Sequence, residues 1–221
     1  MNLKRPFSIG IAGPSCSGKT SVARSLAAML PGSTTIFGLD SYYHDLSHLP
    51  FADRKKFNFD HPEALEDHML AGHLTRLARG EAIQRPVYDF PTHTRMNDVF
   101  EEVQAGDFLI VEGLFTFYWP AVSSIFDVRA FMAAADPICL DRRKVRDIAE
   151  RGRTADFVLT QYNQTVRPGS ESFILPTRKY ADLVLNGEQP IEQSARQIYE
   201  WVQKIYHGET AQQSRDQTDP K

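Results

Sequence analysis

Gly13, Gly18, Lys19 and Thr20 stand in the spacing Gly-x-x-x-x-Gly-Lys-Thr, a pattern suited to holding phosphate. Its glycines let backbone N–H groups curl around phosphate oxygens, and a helix opening at its end adds partial positive charge. In that arrangement Lys19 can reach the β and γ phosphates, and the Thr20 hydroxyl can ligate Mg2+. The plainer alternative is a glycine-rich turn that only caps a helix. The loop implies nucleoside triphosphate binding without specifying the reaction. No Asn-Lys-x-Asp tetrapeptide for reading guanine is present. Cys16 lies inside the loop near a helix start, where a thiol can become reactive; a small tolerated residue is the plainer reading.

Two acids could serve a second substrate. Asp40 follows the apolar run 34–38, and Glu112 follows Phe108-Leu-Ile-Val111. In open parallel sheets ligands gather beyond the carboxyl ends of the strands. A carboxylate there can orient an acceptor hydroxyl and take its proton, or help hold Mg2+. Both acids could instead cap strand ends.

The elements that must position these groups alternate in type. Strands are expected over 7–12, 34–38, 108–111, near 126–133 and over 183–185, the third of these runs being buried on both faces by its pattern. After the loop, Val22, Leu26, Met29 and Leu30 share a helical face that Pro31-Gly32 stops. A second helix is expected from Pro62 to Gly80 on Leu65, Leu70, Leu74 and Leu77, a third over 137–150 and a fourth over 155–165. The last carries Ile191, Ala195, Ile198, Val202 and Ile205. Residues 41–60 read as irregular, 86–98 as a loop or short hairpin, and 207–221 as a frayed polar tail. The expectation is an α/β fold of the P-loop NTPase type, a parallel sheet with helices on both faces, in one domain over 1–206.

Composition narrows the function classes. The 25 Lys plus Arg against 28 Asp plus Glu leave a net charge of −3, so nothing overall draws the chain to nucleic acid or an anionic membrane. Cys16 and Cys139 share no metal or disulfide spacing. The apolar stretch near the start is too short for a signal segment, so cytoplasm is the expectation. His44 and His48, four apart, have no third ligand to complete a metal site. Five Arg and one Lys fall within 141–153, interleaved with Asp141, Asp147 and Glu150. Such a run ordinarily means a solvated helix face with pairs such as Arg143–Asp147. Arg151-Gly152-Arg153 at its end fits a mobile anion clamp better, because Gly152 weakens the helix.

Further motifs follow the loop in order: Asp40-Ser-Tyr-Tyr43, Asn58-Phe-Asp-His-Pro62, Tyr88-Asp-Phe-x-x-His93-x-Arg95 and Val111-Glu-Gly113. Then come Arg143-x-x-Arg146-Asp-Ile-x-Glu-Arg-Gly-Arg153, Gln161-Tyr162 and Pro176-x-x-Lys-Tyr-Ala-Asp182. Together they closely resemble the uridine kinase (uridine–cytidine kinase) family of P-loop kinases, over about residues 7–187. The resemblance implies transfer of a phosphate from ATP or GTP to the 5′-hydroxyl of uridine or cytidine, giving UMP or CMP in pyrimidine salvage. It makes Asp40 the general base, with Lys19 also catalytic. ATP would meet Gly13, Ser15, Ser17, Gly18, Lys19, Thr20 and Ser21, under a lid bearing Arg146 and Arg151. Tyr43, Phe59 and Asp60 would line the nucleoside pocket, Asp60 on the ribose. Tyr88 and His93 would meet the pyrimidine, and Arg143, Arg153 and Gln161 would complete the pocket beside Asp40. Thr20 and Glu112, with Asp40, would hold Mg2+. The resemblance also implies a nucleoside-binding insertion over 41–98, a lid over 141–165, a homotetramer, and inhibition by UTP or CTP. On their own, Tyr88 and Phe90 would read as core aromatics and Asp60 as the start of a helix at Pro62. His44 departs from a Lys common in bacterial members, and residues 133–137 lack the family's usual Asp/Thr-rich pattern. Rival readings are a phosphoribulokinase- or pantothenate-kinase-like enzyme, or a nucleotide-binding regulator without an acceptor.

Overall fold

The computed structural model describes residues 5–216, with side chains described as far as Tyr206. Residues 1–4, in the stretch read against a signal segment, and 217–221 of the expected tail lie outside the described residues. Five strands form one parallel sheet in the order β2-β5-β1-β6-β7. They are β1 (Phe7–Ala12), β2 (Thr34–Gly38), β5 (Phe108–Glu112), β6 (Val128–Ala133) and β7 (Leu183–Asn186). Between them run α1 (Lys19–Met29), α2 (Asp67–Leu77), α3 (Asp136–Arg151) and α4 (Ala155–Gln161), and α5 (Ile191–Asp216) follows the last strand. A separate antiparallel hairpin joins β3 (Ile83–Asp89) to β4 (Thr94–Val103).

The apolar runs of the central strands follow from burial on both faces. On one face Phe108 and Ile110 of β5 pack with Val22 and Leu26 of α1 and Ile198 and Val202 of α5. On the other, Leu109 and Val111 join Leu70 and Leu74 of α2, with Tyr42, Phe115 and Phe117. With β1 in the middle, the loop after it and the turns after β2 and β5 all open at the same edge of the sheet.

Several boundaries differ from the expectation. The helix expected from Pro62 starts at Asp67; Pro62–Ala64 is a single tight turn, after which Leu65 is extended and bridges to Tyr43. This pairing with a segment about twenty residues earlier outweighs the helical spacing of Leu65. Residues 83–103 form a full hairpin, longer than 86–98, because Pro86 sits at a bulge and costs little there. Short turns at Phe51–Arg54 and Pro120–Ser123 interrupt segments read as irregular or unassigned. The helix expected over 155–165 is regular only to Gln161; it continues with wider turns at Tyr162–Val166 and Ser170–Ile174 and closes on a tighter 3-10 helix, Leu175–Tyr180. The tail expected to fray from residue 207 is helical as far as Asp216, since nothing after Gly208 in that stretch breaks a helix.

Candidate active site

The loop 13–18 turns the chain from β1 into α1. Gly13 has φ +143°, and a Cβ on it would sit 2.4 Å from the Met132 carbonyl oxygen of β6, so only glycine fits. Lys19, buried, donates from Nζ to the carbonyls of Gly13 (2.9 Å) and Pro14 (2.7 Å). Burial holds its ammonium below the usual range, against the pull of Glu112, Cys16 and Asp40. The Ser17 hydroxyl is buried without a hydrogen-bond partner among the described residues. A desolvated cation and an orphaned hydroxyl in one glycine-bounded loop are what a phosphate group would satisfy.

Beside the loop, Thr20 Oγ1 donates to Glu112 Oε1 at 2.9 Å. Burial raises the Glu112 pKa, Lys19 opposes this, and the nearby Asp40 adds to the rise. Among the described residues no group of three or more His, Cys, Asp or Glu side chains could hold a metal. Mg2+ usually takes only one or two carboxylates and completes its shell with phosphate and water oxygens. Thr20 and Glu112, with Asp40 close by, fit such an ion.

Asp40 lies in the tight turn Leu39–Tyr42 directly after β2. Next to it the rings of Tyr43, Phe59 and Tyr88 meet: Tyr43 is 5.3 Å from both Phe59 and Tyr88. His93 stacks on Phe59 with centroids 5.8 Å apart and an interplanar angle of 23°. It occupies the hairpin turn with φ 55°, a conformation that His tolerates better than most residues. Burial, reinforced by Arg153, Lys55, Arg151 and Arg54, pushes its imidazole down to about 4, so it is neutral at pH 7 with one donor and one acceptor nitrogen. Asp60 is 4% exposed, and burial raises its pKa against the pull of Arg143 and a 3.4 Å hydrogen bond from Thr165 Oγ1. A Cβ on Gly169 would lie 2.3 Å from the Asp60 carbonyl oxygen, so the helical turns after α4 press directly on this residue.

The basic run turns inward. The pair Arg143–Asp147 forms at 3.5 Å as the spacing suggests, but both residues are buried, so the solvated-face reading fails at this stripe of α3. Arg143 donates to Ser15 Oγ (3.0 Å) and, with Arg153, to Gln161 Oε1 (3.1 and 3.0 Å). The Arg151 guanidinium lies 4.6 Å over the Phe90 ring, which links α3 to the hairpin.

One cavity of about 450 Å3 is bounded by these groups. Every residue selected from the sequence lines it except Gly13, which shapes the loop from behind. Phe90 also lines it, against its reading as a core aromatic. Sequence reasoning missed Arg142, Gly187, Gln189 and Ser194. Arg142 stood within the basic run and donates to the Gly187 carbonyl at 2.8 Å. Gly187 and Gln189 come from the turn between β7 and α5 and Ser194 from the first turn of α5, a stretch that carries no motif and reaches the loop only through the strand order. His44 and His48 do not line the cavity; His44 faces Glu66 at 3.5 Å.

Residues 8–190 match the family model described as the phosphoribulokinase/uridine kinase family. The chain is 42% identical to the uridine kinase of Oceanobacillus iheyensis over 186 residues, covering 84% of this chain and 88% of that protein. It is 44% identical to the uridine kinase of Geobacillus kaustophilus over 184 residues, covering 82% and 86%. Among solved structures, phosphoribulokinase from Rhodobacter spheroides matches with a TM-score of 0.58 at 16% identity, covering 85% of this chain and 74% of that one. At that identity the likeness speaks to fold alone: a parallel sheet flanked by helices, as in P-loop kinases.

Proposed function

The chain belongs to the phosphoribulokinase/uridine kinase family of P-loop kinases, and from that premise we propose that it phosphorylates uridine, and cytidine, at the 5′-hydroxyl. The donor is ATP or GTP and the products are UMP or CMP, in pyrimidine salvage. One observation carries the reading. A single cavity joins the phosphate loop to a ring-lined pocket containing the buried Asp60 and the neutral His93, with Asp40 between.

The residues then divide the work. Backbone N–H groups of the loop and Lys19 bind the donor phosphates, and the buried ammonium offsets charge that builds on them. Ser15, Ser17, Gly18 and Ser21 complete that cradle, and Arg146 and Arg151 close over it. Tyr43, Phe59 and Tyr88 exclude water and flank a flat base, while His93 offers hydrogen bonds to its polar edge. Asp60 holds the ribose hydroxyls; Arg143, Arg153 and Gln161 frame the same pocket. Asp40 orients the 5′-hydroxyl and accepts its proton as the bond to phosphorus forms. Mg2+ held near Thr20, Glu112 and Asp40 would supply charge neutralisation at the phosphate oxygens. The family reading also carries a homotetramer, inhibition by UTP or CTP, and a cytoplasmic place. Among the described residues, no helix is long and apolar enough to cross a membrane.

An acceptor panel tests the proposal. Uridine and cytidine should turn over with ATP and with GTP, and a sugar phosphate or pantothenate should not. Turnover of the sugar phosphate alone would replace the nucleoside reading with a phosphoribulokinase-like one. Binding of a non-hydrolysable ATP analogue that uridine leaves unaltered, with no acceptor turned over, would point to a regulator.

A further inference from the structure

Asp147, midway along the basic run of α3, has none of the roles above, yet four guanidinium groups converge on it. Its side chain is fully buried. Oδ1 accepts from Arg146, Nε at 2.9 Å and a terminal nitrogen at 2.8 Å, and lies 3.6 Å from Arg151. Oδ2 accepts from Arg153 at 2.9 Å and lies 3.5 Å from Arg143. The backbone carbonyl of the same residue accepts the N–H groups of Gly152 and Arg153, folding the end of the run back over the helix. Burial opposes ionisation of Asp147, but Arg146, Arg143 and Arg151 outweigh it and hold the carboxyl below the usual carboxylate range.

The division between the two oxygens matches the division of the site. Arg146 and Arg151, on Oδ1, are the pair read as covering the donor phosphates. Arg143 and Arg153, on Oδ2, are the pair at the nucleoside pocket, joined again at Gln161, and Arg143 reaches back to Ser15 of the loop at 3.0 Å. Four like charges in so small a volume repel one another, and a planar guanidinium pairs well only with a correctly oriented fork. A carboxylate is rigid, so a phosphate that draws Arg146 or Arg151 and rotates Oδ1 must also rotate Oδ2. Building on the kinase reading, we propose that Asp147 is a positioning residue that ties the nucleotide half of the site to the nucleoside half, so that each substrate raises the affinity for the other. The coupling is reciprocal by thermodynamic necessity.

The test compares wild type, Asp147→Asn and Asp147→Glu as full chains. Uridine is titrated calorimetrically with and without a non-hydrolysable ATP analogue, and inorganic tripolyphosphate is titrated alone. Wild type should bind uridine several-fold more tightly when the analogue is present. In Asp147→Asn that ratio should fall to about one, and kcat/KM should drop by about 10- to 100-fold, as expected when hydrogen bonds to charged groups are lost. Tripolyphosphate should bind Asp147→Asn at least as tightly as wild type, because the clamp has gained one unit of positive charge. Asp147→Glu, which keeps the charge but shifts both oxygens, should recover part of the coupling.

A merely structural residue would give the opposite pattern, with tripolyphosphate affinity and thermal stability falling together while the coupling ratio holds. That result, or a wild type without coupling, overturns the proposal. Should Asp147→Asn fail to fold, Asp147→Glu decides: weakened coupling with intact tripolyphosphate binding supports the proposal, and wild-type coupling overturns it. If wild type binds no uridine, the nucleoside reading fails. The acceptor it does phosphorylate then replaces uridine in the same titrations, so the two failures are read separately.

Discussion

Acidification from pH 7 to pH 5 should cost this protein about 2 kcal/mol through one side chain, His93. In the unfolded chain the imidazole titrates near 6.5, whereas burial in the fold, with Arg153 and Lys55 adding to it, pushes it down to about 4. Between those values the unfolded state binds a proton that the folded state refuses. Stability is therefore constant above the unfolded value, falls as the pH drops through the window, and levels off below about 4. The full gap is about 3.4 kcal/mol at roughly 1.36 kcal/mol per pKa unit, and most of it is reached by pH 5. The comparison is His93→Asn, since Asn tolerates the φ of 55° at this position. The variant loses the stack on Phe59 at every pH, so only the pH-dependent part is read. Urea unfolding at pH 7 and pH 5 measures it. At a slope of roughly 2.5 kcal/mol per M, the wild-type midpoint should fall about 0.8 M further than the variant's. Equal losses in the two proteins would refute the reasoning, because His93 would then titrate alike folded and unfolded. A second reading comes from kinetics: the KM for nucleoside should stay flat between pH 6 and pH 8.

Other perturbations address single groups. Asp40→Asn should lower turnover by about 10²- to 10⁴-fold, as for loss of a general base, with little change in binding of an ATP analogue; near-normal turnover would remove Asp40 from that role. Gly169→Ala forces a methyl group against the Asp60 carbonyl and should raise the nucleoside KM about tenfold with the ATP KM nearly unchanged, read by steady-state kinetics. Thr20→Val removes the hydroxyl that bonds Glu112 and should raise the Mg2+ concentration for half-maximal rate about tenfold, measured by metal titration at fixed ATP.

The parts legible in the sequence are those where one cause dominates. Burial on both faces makes β1 apolar but for Ser8 and β5 apolar from Phe108 to Val111, and the loop between β1 and α1 has residue types that few other conformations require. Elsewhere competing causes hide the outcome. Residues 96–102 of β4 are all exposed, so the strand shows no alternation, and Pro86 and Pro91 argue against a hairpin until the bulge and turn are seen to hold them. The onset of α2 depends on the bridge between Tyr43 and Leu65, a contact that helical spacing cannot reveal. Charge pattern alone could not say which side of the basic run faces inward, because Asp147 is silent until its four partners are in view. Ser194 and Gln189 reach the cavity by topology and carry no local signal.

The position of β1 in the sheet has a consequence for how the molecule is made. Ile11 pairs with Glu112 on one side and with Ala130 on the other, so both neighbours of this strand are synthesised roughly a hundred positions after it. At about 5–20 residues per second, the ribosome releases β1 many seconds before anything exists for it to pair with. Throughout that interval an apolar segment and its glycine-rich extension stand unsupported, with closure of a long loop still to be overcome. The phosphate loop is thus made long before the two strands that flank it, and it takes its shape only once both have arrived.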